Sequence, residues 1–437
     1  MSVNHLRTHV KTDPLHKLLI VSWVLLLLIL LVQLLPGSRA IAATLGSITV
    51  GGTCSQTSNL GNSSCQTITV TGCPNLANAT ADLVIAQPPV GKPVIGTIIF
   101  GSGMGGTNLY GTAGSYEAGM MENLRKAGYR IIERVWTNGP NGWFTGTLGP
   151  AVSACRYATL VNWIRKQYPS GQLCATGVSG GAVELSFGLS RWGLGNVLNA
   201  VVFDSGPQTR LDYYCVGTTN PPWSALCQNI NSNYSFSCPG TTGCEPYPGV
   251  AQLIDGSYNG VNTCYGATMQ SPNLTKLYAD SADGPGAVLN FPNTRIAFYE
   301  GAVDCSFGVA ISGVAYAKEI TSLGAAPPVS IIAGQGHQIS QSSTGAALIE
   351  NTLSNLCTGG TSSTVAASGD MNNDGNVDIA DALYALRISA GLVSPTLNDL
   401  SRGDVAPLVN GIPQPDGKID ISDVVVIMRK AVGLTTW

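Results

Sequence analysis

Between residues 93 and 357, apolar runs of strand length alternate with segments whose apolar positions recur every three or four residues. PVIGTIIF (93–100), RIIERVW (130–136), QLCATGV (172–178), NAVVFDSGP (199–207), TRIAFYEGAVD (294–304) and VSIIAGQGH (329–337) carry the β-branched, continuous apolar character of buried strands. YEAGMMENLRKAGY (116–129), CRYATLVNWIRKQY (155–168), GAVELSFGLSRW (181–192) and GVAYAKEITSLG (313–324) carry the helical period. Alternation of this kind predicts βαβ units and an α/β fold, a parallel sheet with helices on both faces. Residues 44–90 instead show GSITVGG, CQTITVTGCP and ADLVIAQP, expected as antiparallel strands leading into that sheet. Residues 206–290 break the pattern. They are irregular and hold five cysteines, and they read as a disulfide-tied, cap-like insertion at the ligand-binding ends of the strands.

The ends of the chain follow other patterns. Arg7, Lys11 and Lys17 precede an apolar run from Leu18 to Leu35, which Pro36 and Gly37 interrupt; small-x-small sites follow at 38–40 and 40–42. That order predicts a secretory signal over 1–43, although the run approaches the length of a membrane anchor. Nothing later could span a membrane, so the mature protein is expected to be secreted, extracellular or associated with the cell surface. At 358–368, TGGTSSTVAAS has linker composition.

Charge and cysteine content narrow the class. Charged residues make up 11% of the chain, against about a quarter in ordinary globular domains, and the formal net charge is −3. No basic surface is available to attract nucleic acid. Twelve cysteines in an exported chain predict disulfides. Zinc is disfavoured because the chain has no C-x-x-C and keeps one histidine, His337, once His5, His9 and His16 leave with the leader. Short loops closed by Cys238 and Cys244, or by Cys65 with Cys54 or Cys73, are candidate pairings.

Candidate chemistry converges on that histidine. Gly177-Val178-Ser179-Gly180-Gly181 is a G-x-S-x-G between a strand and a helix, where a tight turn projects a serine above the sheet. Such a serine needs a base, and His337 is available just after a strand. The base needs a carboxylate; Asp304 ends the preceding strand and is favoured, while Asp204 ends an earlier one. Developing negative charge on the substrate needs two N–H donors: Gly180, and one of Ser102, Gly103 or Met104 in GSGMGGT (101–107). Trp143 and Phe144 are expected on a loop at the active-site edge, lining an acyl or aromatic subsite.

On these motifs, residues of about 90–357 resemble an α/β-hydrolase of the secreted esterase, lipase and polyester-depolymerase kind. The resemblance implies a fold with Ser179 as nucleophile, His337 as base and Asp304 as acid, acting on carboxylic esters with no catalytic cofactor. The second loop departs from the His-Gly often found in related lipases. A non-catalytic surface or scaffold protein on the same fold is the alternative, and the intact Ser/His/Asp set argues against it.

The tail carries a second signature. DMNNDGNVDIAD places Asp370, Asn372, Asp374, Asn376, Asp378 and Asp381 at loop positions 1, 3, 5, 7, 9 and 12 around Gly375, the alternating oxygen donors of a Ca²⁺ loop. At an offset of 42, Asp416, Lys418, Asp420 and Asp423 repeat the later positions, and VAPLVNGIPQP lengthens the loop after Asp404. Two such loops, each followed by one helix, resemble a type I dockerin module over 369–437. The resemblance implies a small all-α, Ca²⁺-binding domain whose partner is a cohesin. Together with the hydrolase motifs, it suggests an ester on a biopolymer: acetylated or feruloylated polysaccharide, or a polyester.

Overall fold

The computed structural model describes residues 44–216, 221–234, 236, 254–258, 274–304, 308–357, 368–372, 376–390, 392, 399, 402–409, 411–413, 419–435 and 437. The leader, most of the linker, Cys238, Cys244, Cys305, Asp374, Asp416 and Lys418 lie outside the described residues. Among the described residues, no helix is long and apolar enough to cross a membrane.

Nine strands form the central sheet: β1 (Ser47–Thr53), β2 (Ser63–Thr71), β3 (Ala79–Ala86), β4 (Gly96–Gly101), β5 (Tyr129–Trp136), β6 (Gln172–Val178), β7 (Ala200–Asp204), β8 (Arg295–Gly301) and β9 (Val329–Ile332). Their order across the sheet is β1-β2-β3-β5-β4-β6-β7-β8-β9. β1 to β3 and the β3–β5 pair are antiparallel, as expected for 44–90; the six strands from β5 onward run parallel. Helices α1 (Tyr116–Ala127), α2 (Cys155–Gln167), α3 (Gly180–Trp192), α4 (Val309–Glu319) and α5 (Ser343–Cys357) cover it.

Successive strand residues point to opposite faces, and the core divides accordingly. Ile99 and Ile132 pack with α2 and α3, whereas Ile98, Phe100 and Ile131 pack with α1 and α5. With helices on both sides, β4 is buried along its whole length, which explains its unbroken apolar sequence. The sequence reading gave no helix after His337; α5 fills that place. Its buried Ala346, Ile349, Leu353 and Cys357 are spaced at helical intervals, but Ser and Gly at its start obscured the pattern.

Disulfides join distant parts of this unit. Cys54 pairs with Cys65, one of the expected short loops, whereas Cys73 reaches Cys155 on α2 and Cys174 on β6 reaches Cys357 at the end of α5. Cys215 and Cys227 are also disulfide-bonded. The irregular segment contains helices at Leu211–Val216, Pro221–Tyr234 and Leu274–Ala279.

In the tail, α6 (Ile379–Ser389) and α7 (Ile421–Ala431) pack through Ala382, Ala385, Ile388, Val424 and Ile427, with Met371, Val405 and Ile419 completing a small core. The two halves share one device. Asp381 accepts the N–H groups of Met371 at 2.8 Å, Asn372 at 3.1 Å and Asp378 at 2.8 Å. Asp423 accepts those of Val405 at 2.8 Å, Ala406 at 2.8 Å and Asp420 at 2.9 Å. Asp404 therefore stands to Asp423 as Asp370 stands to Asp381, and the extra residues lie beyond Ala406, in a segment that includes a short hairpin, Leu408–Val409 with Ile412–Pro413.

Cross-linking removes more freedom from the unfolded chain the longer the loop it closes. The Cys174–Cys357 bridge spans 183 residues and Cys54–Cys65 spans 11. Replacing both cysteines of the long bridge with alanine should lower the unfolding free energy by about 3–5 kcal/mol, and more than the same change at Cys54 and Cys65. Denaturant unfolding with the reverse order would show that loop entropy does not govern these bridges.

Candidate active site

The parallel order places the C-terminal ends of β6, β7, β8 and β9 side by side: Val178 opposite Asp204, Asp204 opposite Tyr299, and Gly301 opposite Ile332. Ser179, Asp204, Asp304 and His337 follow or end these strands, so chain segments far apart in sequence reach one edge of the sheet.

Ser179 sits at the turn from β6 into α3 with φ 51° and ψ −115°, a left-handed conformation that a residue with a side chain adopts only under constraint. The constraint is close backbone packing. A Cβ at Gly177 would lie 2.5 Å from the Gly181 carbonyl carbon, one at Gly181 would lie 2.3 Å from the Gly101 oxygen, and one at Gly180 would lie 1.9 Å from the Met104 oxygen. The glycines of the motif are therefore steric requirements. The loop after β4 rests directly on the turn: a Cβ at Gly103 would stand 3.3 Å from the Ser179 Cβ. Ser102 is buried, with its hydroxyl donating to the Asn108 carbonyl at 2.6 Å, and Met104 is held at φ 52° with its side chain half exposed.

His337 Nδ1 lies 3.0 Å from Asp304 Oδ2; the carboxylate is fully buried and the imidazole is partly open to solvent. The preceding residues hold the pair: Val303 N–H donates to the Gln335 carbonyl at 3.0 Å, linking the acid and histidine loops. On the other side, Gln338 N–H donates to the Ser205 hydroxyl at 3.1 Å, and the Ser205 carbonyl accepts Ser179 N–H at 2.9 Å. Ser205 thus connects the histidine loop to the serine turn.

Asp204, the other sequence candidate for the acid, is completely buried and differently engaged. It accepts Ile339 N–H at 2.8 Å and the Tyr110 hydroxyl at 2.8 Å, and also bonds the Ser340 hydroxyl. Burial raises its carboxyl, opposed by the Ser340, Tyr110 and Ile339 donors. Tyr110 and Ser340 were not singled out in the sequence, where neither stands in a motif.

Trp143 and Phe144 overturn the expectation of an active-site loop. They are 0% and 3% exposed and stack on each other inside the core, beside Phe187. The turn TNGPNG before them had suggested a surface tip, but the aromatic pair folds inward behind it.

A cavity of about 600 Å³ opens beside the serine turn, lined by Gly103, Asn108, Tyr110, Tyr116, Gln338 and Gln341 among others, within the range of small-molecule sites. Its amides and hydroxyls, together with Glu117 and the more than half exposed Tyr116, distinguish it from a purely apolar acyl tunnel. Below it, Glu133 accepts the N–H groups of Tyr110 at 3.0 Å and Gly111 at 3.3 Å. A second buried carboxylate, Glu184 of α3, bonds Arg134 and takes the Trp136 indole N–H at 2.7 Å, while Arg134 donates to the Gly106 carbonyl at 2.9 Å. The loop on the serine turn is thus braced from beneath.

No protein-family model and no curated protein matches this chain. Among solved structures, it resembles a brefeldin A esterase described as a bacterial homologue of human hormone-sensitive lipase, at 14% identity over 70% of this chain and 80% of that one, with a TM-score of 0.45. It also resembles a thermostable carboxyl esterase from Bacillus coagulans (15% identity, 66% and 96% covered, TM-score 0.39). A third likeness is to carboxyl esterase 2 from the fungus Tuber melanosporum (16% identity, 69% and 88% covered, TM-score 0.40). Sheet order, the serine turn and the strand-end loops give this chain an α/β-hydrolase fold.

Burial pushes the Glu133 carboxyl up to about 7. A carboxyl raised by folding binds its proton more tightly in the native state, so stability is fullest below the ordinary value of about 4.3 and is lost as pH rises through 7. Glu133→Gln keeps an acceptor without the charge. Its melting temperature should match the parent's near pH 4.5 and exceed it at pH 7.5; the same difference at both would sever Glu133 from the pH dependence.

Proposed function

We propose that the protein is a secreted serine hydrolase of carboxylic esters. The observation that carries this reading is the strained Ser179 turn at the same sheet edge as the His337–Asp304 pair. With Asp304 on Nδ1, Nε2 is the nitrogen that takes the Ser179 proton as the hydroxyl attacks the ester carbonyl. The imidazolium returns that proton to the departing alcohol, and water then cleaves the acyl-enzyme by the same route. Gly180 N–H and a backbone N–H of the 102–104 loop serve the developing oxyanion. No step calls for a metal. The polar cavity favours a hydroxylated alcohol, and hence an acylated polysaccharide over a polyester.

The tail supports a dockerin-like role. Its donor set is all oxygen, as Ca²⁺ requires, and Asp381 and Asp423 close their loops end to end. Ile379, Leu383 and Leu386 on α6 and Ile421, Val425 and Met428 on α7 are all at least 40% exposed and follow i, i+4, i+7 spacing. These paired apolar stripes suit docking on a cohesin through either helix, with Arg387 or Arg429 nearby. Small Ca²⁺ modules couple binding to folding. The isolated 369–437 segment should therefore gain helicity with Ca²⁺ and lose it with EDTA, while ester hydrolysis by the full chain survives chelation. Helicity indifferent to Ca²⁺ would remove the metal, and loss of hydrolysis on chelation would place a metal in the hydrolase.

A panel of chromogenic esters of increasing acyl length, with acetylxylan, methyl ferulate and a polyester film, tests the catalytic reading. Ser179→Ala and His337→Ala should each lose several orders of magnitude in kcat, because the two groups act as a unit. Asp304→Asn should lose less, yet more than Asp204→Asn. Activity of either alanine variant within tenfold of the parent would contradict the mechanism.

A further inference from the structure

His337 hangs between two clamps. Upstream, the Gln335 carbonyl holds Val303 N–H, next to Asp304. Downstream, residues 338–340 are held by the end of β7: Gln338 by the Ser205 hydroxyl, and Ile339 and Ser340 by the Asp204 carboxylate. The same carboxylate takes the Tyr110 hydroxyl, and Tyr110 stands in the wall of the cavity. Its own backbone carbonyl faces Ser179 N–H at 3.3 Å. Asp204 is 0% exposed, and none of its hydrogen-bond partners described here is a cation. Burying a carboxylate on neutral donors costs far more than filling the space with an apolar side chain. What the carboxylate supplies, and an apolar residue could not, is one point at the end of β7 to which both the histidine loop and Tyr110 attach.

We propose that Asp204 is a positioning residue: it fixes the histidine loop to the end of β7, beside the serine turn, and to the cavity wall, so that the imidazole stays on Asp304. The acid itself is Asp304. The hydrogen bonds of the Asp204 carboxylate run to Ile339, Ser340 and Tyr110, and it acts through them. The kinetic part of this assignment rests on the ester-hydrolase reading, and the structural part does not.

The test compares Asp204→Ala and Asp204→Asn in the full chain. An asparagine can still accept Ile339 N–H through its oxygen, and its amide can donate to a hydroxyl that turns to receive it, so it should preserve much of the clamp. Small misplacements of a catalytic group cost up to about a hundredfold in rate. Asp204→Ala should lose about that factor in kcat with KM changed by less than about threefold, and Asp204→Asn about a tenth of that loss. The low-field proton resonance of His337 Nδ1–H, recognised by its absence in His337→Ala, should broaden or vanish in Asp204→Ala and persist in Asp204→Asn.

An intact resonance with near-parental kcat in Asp204→Ala would overturn the proposal. So would a rise in KM at constant kcat, which would make Asp204 a builder of the cavity wall alone. If Asp204→Ala fails to fold, Asp204→Asn decides: a kcat equal to the parent's contradicts the assignment. If the parent hydrolyses no ester in the panel, the ester-hydrolase reading falls, and the resonance still judges the clamp.

Discussion

Steric exclusion around Ser179 is the constraint on which the rest of the site depends. Three glycines let the turn, the first residues of α3 and the loop after β4 approach so closely that a methyl group at 177, 180 or 181 would overlap backbone. That contact holds Ser179 at a positive φ, a conformation costing on the order of 1–3 kcal/mol. It also seats the loop after β4 directly on the serine turn, at Gly103. The serine turn and the loop resting on it are therefore set by one packing event rather than by two loops folding separately.

Beneath that contact, the fold carries an unusual load of buried charge. Glu133, Glu184 with Arg134, and Asp204 are all at most 1% exposed, and each bonds a segment bordering the cavity or the serine turn. In energetic terms these groups are poor stabilisers; apolar replacements would pack as well. Each instead fixes loop geometry through directional bonds, and for the carboxyls that burial raises the cost is a stability that falls as pH rises from the ordinary carboxyl range to neutral. Disulfides between distant elements offset part of it by restricting the unfolded chain.

The fold was legible because its signals are local. Continuous apolar runs gave the parallel strands, alternating ones gave the antiparallel lead-in, and the repeat spacing gave both tail helices. At the site, Ser179 was marked by its glycines and His337 by its isolation. The structure brings His337 and Asp304 together, and it gives Asp204 other partners. What stayed hidden depends on three-dimensional proximity alone. Tyr110, Ser205 and Ser340 carry no periodicity or motif, and their roles arise only when three strand ends meet. Trp143 and Phe144 misled for a related reason: the turn before them looked exposed, and nothing local revealed that the pair folds inward.

On this reading Ser179 is a nucleophile activated by its surroundings, not a buried structural serine. Mass spectrometry after treatment with a fluorophosphonate tests it directly, since that reagent phosphonylates an activated serine hydroxyl. The claim predicts stoichiometric labelling confined to the peptide containing Ser179, abolished by His337→Ala. An unlabelled protein, or a label on another residue, would contradict it.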